Sequence, residues 1–200
     1  MRIAFLRHGP TDWNTAGRFQ GHTDIPLSTA GMAKMAGLRL PPDFAPARIF
    51  VSPLTRARQT ALALGLPPAT PDARLTEQNW GQWEGLTRAQ ILERHGDDAF
   101  ANFGLGASFR PLGGESTGEL NTRLAAFLED VAQDKSDAVA VAHLGVLRAA
   151  YTLATGWDMA TPMPADLDVS KILLLSLALD GTATVEALNV DFIPAASPRS

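Results

Sequence analysis

Apolar side chains in this chain come in two patterns that alternate: short unbroken runs and helical stripes. Ile3 to Leu6 is apolar throughout, as expected of a strand covered on both faces. Arg48–Val51, Ala138–Ala142 and Ile172–Leu177 predict three more strands, and Thr184–Val190 a fifth. Asp180-Gly181 is a hairpin signal, so the last two strands are predicted antiparallel. Between the runs, one helical stripe opens at Ser28 and is stopped by Pro41-Pro42. A second is predicted to begin with Ser52 as N-cap and Pro53 in its first turn, ending near Gly65. Leu120, Leu124, Phe127, Leu128 and Val131 share one face of a third, over residues 115–131, and residues 144–153 form the fourth. From Trp80 to Gly114 only a short helix over 87–94 stands out, followed by glycine-rich loop.

This alternation predicts an α/β sandwich whose central sheet is mostly parallel, with an antiparallel edge strand. We expect one domain over residues 1–193, with 86–112 as a short lid and 194–200 as a flexible tail.

In open α/β sheets ligands sit beyond the carboxyl ends of the strands. Arg7-His8 follow the first run, Ser52 to Arg56 the second, and His143 the third, so two arginines and two histidines converge on one edge. Cations gathered in one place repel one another unless an anion lies between them, and a phosphoryl group suits arginine forks. A neutral imidazole there can attack phosphorus, and the leaving alcohol then needs a proton from a nearby carboxylic acid. Glu77 and Glu84 both qualify.

Composition acts by exclusion. The net charge of −4 suggests neither a nucleic-acid nor an anionic-membrane surface. It leaves a small anionic substrate open, because exposed charge is screened beyond roughly 8 Å at physiological salt. With no cysteine, disulfide and thiolate chemistry are absent. The start of the chain lacks the apolar stretch of a signal peptide, and no run approaches membrane-span length, so the expectation is a soluble, cytoplasmic protein. No metal-ligand spacing and no nucleotide-binding loop are present, so neither metal nor cofactor is expected.

Six pieces, in order, carry a family resemblance: RHGPTDWN (7–14), GRFQGHTDIPLS (17–28), SPLTRARQTA (52–61), LTEQNWGQWEG (75–85), GGES (113–116) and VAHLGVLRA (141–149). Together they resemble the RHG branch of the histidine phosphatase superfamily, also called phosphoglycerate-mutase-like, over nearly the whole chain. The resemblance implies a three-layer αβα sandwich. It implies His8 as the phosphorylated nucleophile, Arg7, Arg56 and His143 as phosphoryl-binding groups, and Glu77 as the general acid, with Glu84 a supporting carboxylate. Asn14, Gln20 and Gly21 match positions on the substrate side, and Leu144 stands where relatives often carry glycine. Pro10 follows the RHG stretch where many relatives have an acid or amide. The implied activity is a metal-independent phosphomonoesterase acting on a small phosphate ester. A phosphoglycerate-type mutase, an α-ribazole phosphatase and a non-catalytic phosphate-binding module are the alternatives. Arg88, Arg94, His95 and Arg110 are the only cations of residues 86–112, and such a thin lid favours hydrolysis. Phe100, Phe103, Leu105 and Phe109 are expected to form an apolar wall. No oligomeric state is assigned.

Overall fold

Strand β1 (Arg2–Arg7) buries Ile3, Ala4, Phe5 and Leu6 completely, and its alternate side chains enter two different cores. The computed structural model describes residues 1–44 and 47–195, and the side chains of these except 101–105. Ile3 and Phe5 join Ala138, Ala140 and Ala142 of β5 (Ala138–Ala142) on one face of the sheet, while Ala4 and Leu6 join Val139 and Val141 on the other. Helices α5 (Thr117–Gln133) and α6 (Leu144–Thr155) cover the first face through Leu124, Phe127, Val146 and Leu147. Helices α2 (Thr29–Ala36) and α3 (Thr55–Ala63) cover the second through Met35, Ala57 and Ala61. The sandwich therefore has three layers, because a strand with period two and apolar residues at every position must be covered twice.

The remaining strands of this sheet are β3 (Arg48–Val51), β4 (Thr70–Pro71), β6 (Ile172–Leu177) and β7 (Ala183–Val190). The order is β4-β3-β5-β1-β6-β7, with β4, β3, β5 and β1 parallel. The antiparallel strand is β6, opposed to both β1 and β7, so it lies one place in from the edge that the sequence assigned it. The hairpin at Asp180-Gly181 returns β7 to the direction of β1 on the outside. Residues 193 and 194 form β8 (Ile193–Pro194), paired with β2 (Leu38–Arg39), and Ala195 donates to the Gly37 carbonyl at 2.8 Å. Pro194 and Ala195 thus depart from the expected tail, and residues 196–200 lie outside the described residues.

The predicted cap of α3 is also corrected. Leu54, not Ser52, stands at the N-cap, without a side-chain cap bond. Asp24 takes over the task from another loop, accepting from the Thr55 amide and hydroxyl at 2.7 Å each. That acid also occupies the amide end of α3. Short elements complete the chain: α1 (Asp12–Thr15), α4 (Arg88–His95) and tight 3-10 turns over Asp97–Ser108.

Strand register positions the site. Leu6 and Val51 both lie opposite Val141. The next residues continue this alignment, His8 donating from its amide to the Ala142 carbonyl at 2.9 Å and Ser52 to that of Val141 at 3.0 Å. His8, Ser52 and His143 therefore leave the sheet side by side.

Candidate active site

The two histidine rings lie 5.1 Å apart, centre to centre, tilted by 57°. His8 is almost fully buried, and its Nδ1–H donates to the Gly9 carbonyl at 2.7 Å, which leaves Nε2 as the nitrogen with a lone pair. The Gly9 amide in turn donates to Thr60 Oγ1 at 2.9 Å, tying the loop to α3. His143 Nε2 is 2.7 Å from Ser52 Oγ, which uses the hydroxyl that the sequence assigned to capping. Arg56, completely buried, donates from Nε to His143 Nδ1 at 3.3 Å, and from its terminal nitrogens to the carbonyls of Thr23 (3.0 Å) and Gly21 (2.8 Å). Arg7 carries a buried Nε with no hydrogen-bond partner. Burial, and then the positive field of Arg56, push His8 down to about 3, with the Gly9 bond opposing and Arg7 adding to the fall. Burial, His8 and Arg56 hold His143 well below the usual imidazole range. Both rings are neutral at physiological pH, and the positive charge of the pole belongs to the arginines.

Glu77 faces this pole from the loop after Leu75. It is buried, accepts from the Gln78 amide at 2.8 Å, and receives the Gly145 amide at 3.0 and 3.2 Å on its two oxygens. Burial raises its pKa above the usual carboxylate value, against the opposing pull of those amides, Arg56 and Arg7. Arg123 holds the loop from α5, donating to the Glu77 carbonyl at 3.2 Å and to Glu115 at 2.6 and 2.9 Å. Here the GGES piece acquires a task, which sequence reading left unassigned.

Gly145 was also passed over in favour of its neighbour Leu144. A Cβ on Gly145 would stand 2.4 Å from Glu77 Oε1, so only glycine lets the start of α6 reach the carboxyl group. Gly145→Ala should therefore lower kcat/KM by roughly 10²-fold, the scale of an ångström-level misplacement. Steady-state assays beside a thermal melt check this, and a parent-like kcat/KM would refute it.

Glu84 is placed differently. It accepts from the amides of His22 (2.8 Å), Thr23 (2.7 Å) and Trp80 (3.2 Å) and from the Thr23 hydroxyl. Burial pushes its pKa up, but these hydrogen bonds outweigh burial and hold it below the usual range. It is a fixed anion joining two loops. Gly21, expected on the substrate side, belongs to this joint and is not among the cleft-lining residues. A Cβ there would come within 2.0 Å of Glu84 Oε1 and 2.8 Å of the Trp80 amide nitrogen.

The cleft itself encloses about 360 Å³ and is lined by Arg7, His8 and Glu77 at one end. Asn14, Gln20 and Leu144 line it as well. Asn14 Oδ1 accepts from the Thr11 amide (3.0 Å), and the Thr11 hydroxyl, with one proton to give, lies 3.1 Å from Asn14 Oδ1 and 2.8 Å from Gln20 Oε1. Of the lid residues, Arg88, Gly106 and Phe109 line the cleft. Phe100 is buried against Trp83 beneath Arg88, and Arg110 pairs with Glu119 at 2.7 Å. The side chains of Phe103 and Leu105 lie outside the described residues. Arg148, in the VAHLGVLRA piece but given no role by the sequence, lines the cleft one helical turn beyond Leu144.

The family model of the histidine phosphatase superfamily (branch 1) matches residues 3–191. The chain belongs to the histidine phosphatase superfamily. It is 32% identical over 162 residues to a metal-independent phosphoserine phosphatase of Arabidopsis thaliana, covering 76% of this chain and 68% of that protein. It superposes on the structure of a mycobacterial glucosyl-3-phosphoglycerate phosphatase in complex with VO3 with a TM-score of 0.79 at 28% identity, covering 95% of this chain and 99% of the other. A 2,3-bisphosphoglycerate-dependent phosphoglycerate mutase of Gloeobacter violaceus is 34% identical, but over 57% of this chain and 55% of the mutase. Among the described residues of this superfamily member, no three metal-ligating side chains gather into a group, and no helix is long and apolar enough to cross a membrane.

Proposed function

We propose that this superfamily member is a metal-independent phosphatase that carries the phosphoryl group of a small ester on His8. The observation behind this reading is the His8 Nδ1–Gly9 bond, which leaves Nε2 unprotonated on a ring that packs against His143 and lies in the field of Arg56 and Arg7. Nε2 attacks phosphorus in line, and the P–O bond to the alcohol breaks as the N–P bond forms. Arg7 and Arg56 neutralise the charge spread over the phosphoryl oxygens. His143 accepts from Arg56 at Nδ1 and holds Ser52 at Nε2, and so fixes the guanidinium beside the phosphoryl oxygens. Glu77 gives its proton to the departing alkoxide. As a carboxylate it then takes a proton from water, which attacks the phosphohistidine and releases phosphate and neutral His8.

Hydrolysis is favoured over phosphoryl return because, among the described residues, the 86–112 segment brings a single cation, Arg88, to the cleft, too little to seal a phosphorylated enzyme from water. The phosphatase names of the relatives over most of their length point the same way. The cysteine-free composition suits a reducing compartment, and we place the enzyme in the cytoplasm.

Hydrolysis of p-nitrophenyl phosphate, scanned over pH in excess EDTA, tests the reading. The chelator should leave the rate unchanged. Because His8 is depressed to about 3, the nucleophile is already neutral in mild acid. Because Glu77 is raised, the general acid is lost as pH climbs through its pKa, so kcat/KM should be greatest on the acid side of neutrality and fall above it. Chelator sensitivity, or a rate that rises through about pH 6.5 as an ordinary histidine deprotonates, would overturn it. No turnover at all would leave a phosphate-binding module.

A further inference from the structure

Two cleft-lining arginines, Arg7 and Arg148, each bury an Nε that has no hydrogen-bond partner. A buried donor left without an acceptor is costly, and in a binding cleft it marks a place where a ligand completes the set. The phosphoryl group accounts for Arg7. It does not account for Arg148, which stands farther along α6. His143 caps that helix and Arg148 follows five residues later, about 7.5 Å along the axis at 1.5 Å per residue. Leu144, Gly145 and Arg148 line the cleft together, so the guanidinium overlooks the space where the alcohol half of an ester would lie.

Its neighbours hold it without an ion pair, and the acid whose field reaches it is Glu77. The guanidinium carbon is 5.3 Å from the centre of the Trp157 ring, and among the described residues no ion pair includes Arg148. Of the other two arginines along this part of the cleft, Arg18 donates to the Gly85 carbonyl, and Arg88 stacks on Phe100 at 3.9 Å, closer than Arg148 to Trp157. A guanidinium with a buried, unpartnered Nε matches one planar, singly charged acceptor better than a second phosphoryl dianion.

We propose that Arg148 binds a carboxylate on the alcohol half of the substrate, so that the enzyme acts on the phosphate ester of a small hydroxy acid. The axial spacing suits a body of a few atoms between phosphorus and carboxylate. The Trp80 and Phe109 side of the cleft then packs the carbon skeleton. This assignment rests on the phosphatase reading and adds to it the group that selects among esters.

The test uses matched pairs that differ at the carboxylate: 3-phosphoglycerate against glycerol 1-phosphate, and O-phosphoserine against O-phosphoethanolamine. The parent enzyme should prefer the acid member of at least one pair. Arg148→Met, which keeps an unbranched apolar stem beside Trp157, should lower that preference by about tenfold or more, as expected for losing a hydrogen bond to a charged group. Each preference is a ratio of kcat/KM values within one preparation, so a change in the folded fraction cancels. A parent with no preference, or a variant with the parent's ratio, overturns the assignment. If the parent hydrolyses none of these esters and no p-nitrophenyl phosphate, the phosphatase reading fails separately. Calorimetric affinities of the same pairs for parent and variant then decide Arg148: equal losses for both members overturn it, and a selective loss of the acid member upholds it.

Discussion

Replacing His8 by alanine abolishes phosphate release, a fall of roughly 10⁴-fold or more on the scale of nucleophile deletions in other covalent enzymes. The reason is that the remaining groups bind but cannot accept phosphorus. Arg56 has no lone pair to offer, and His143 spends Nε2 on Ser52 and Nδ1 on Arg56. The fold should survive. The ring makes one hydrogen bond, to the adjacent carbonyl, whose loss costs about 1 kcal/mol. Three measurements decide the matter: the rate on p-nitrophenyl phosphate, the mass of protein quenched within the first turnover, and the melting temperature. The parent should carry a phosphoryl group and the variant none. A variant that keeps a tenth of the rate would assign the attack to another residue.

Arg56→Met has the second largest effect, and it strikes catalysis and stability together. The methionine fills much of the buried stem but takes away every donor. We expect kcat/KM to fall about 10²–10³-fold, as when one oxyanion donor is lost. Stability should fall by roughly 2–4 kcal/mol, since the carbonyls of Gly21 and Thr23 and the Nδ1 of His143 lose the buried guanidinium that donates to them. Urea titration beside steady-state kinetics separates the two losses. A destabilised variant with parent-like kcat/KM would show that Arg56 only braces the loop at 21–23.

Much of this site could be located from the chain itself. Apolar runs that end abruptly in Arg7-His8, Ser52 and His143 mark both a buried strand and the place where it emerges, and parallel neighbours emerge at one edge. The errors came where a local rule met a distant partner. Ser52 followed by Pro53 has the form of a helix start, yet its hydroxyl is claimed by a histidine 91 residues away, and Asp24 caps α3 instead. Leu144 attracted notice as a departure from the family pattern, while the adjacent Gly145 makes the contact that matters. Pro194 had the composition of a tail and became a strand residue because β2 offered it a partner.

Local sequence determined the alternation of strands and helices, the three-layer arrangement and the convergence of cations at the sheet edge, because side-chain period and strand termini are properties of neighbouring residues. The tertiary structure alone pushes the pKa of Glu77 up and that of Glu84 down. It alone left the Nε of Arg148 unpartnered. Both depend on how much water is excluded and which amides or carbonyls arrive from elsewhere in the chain, and those quantities do not exist until distant segments have packed.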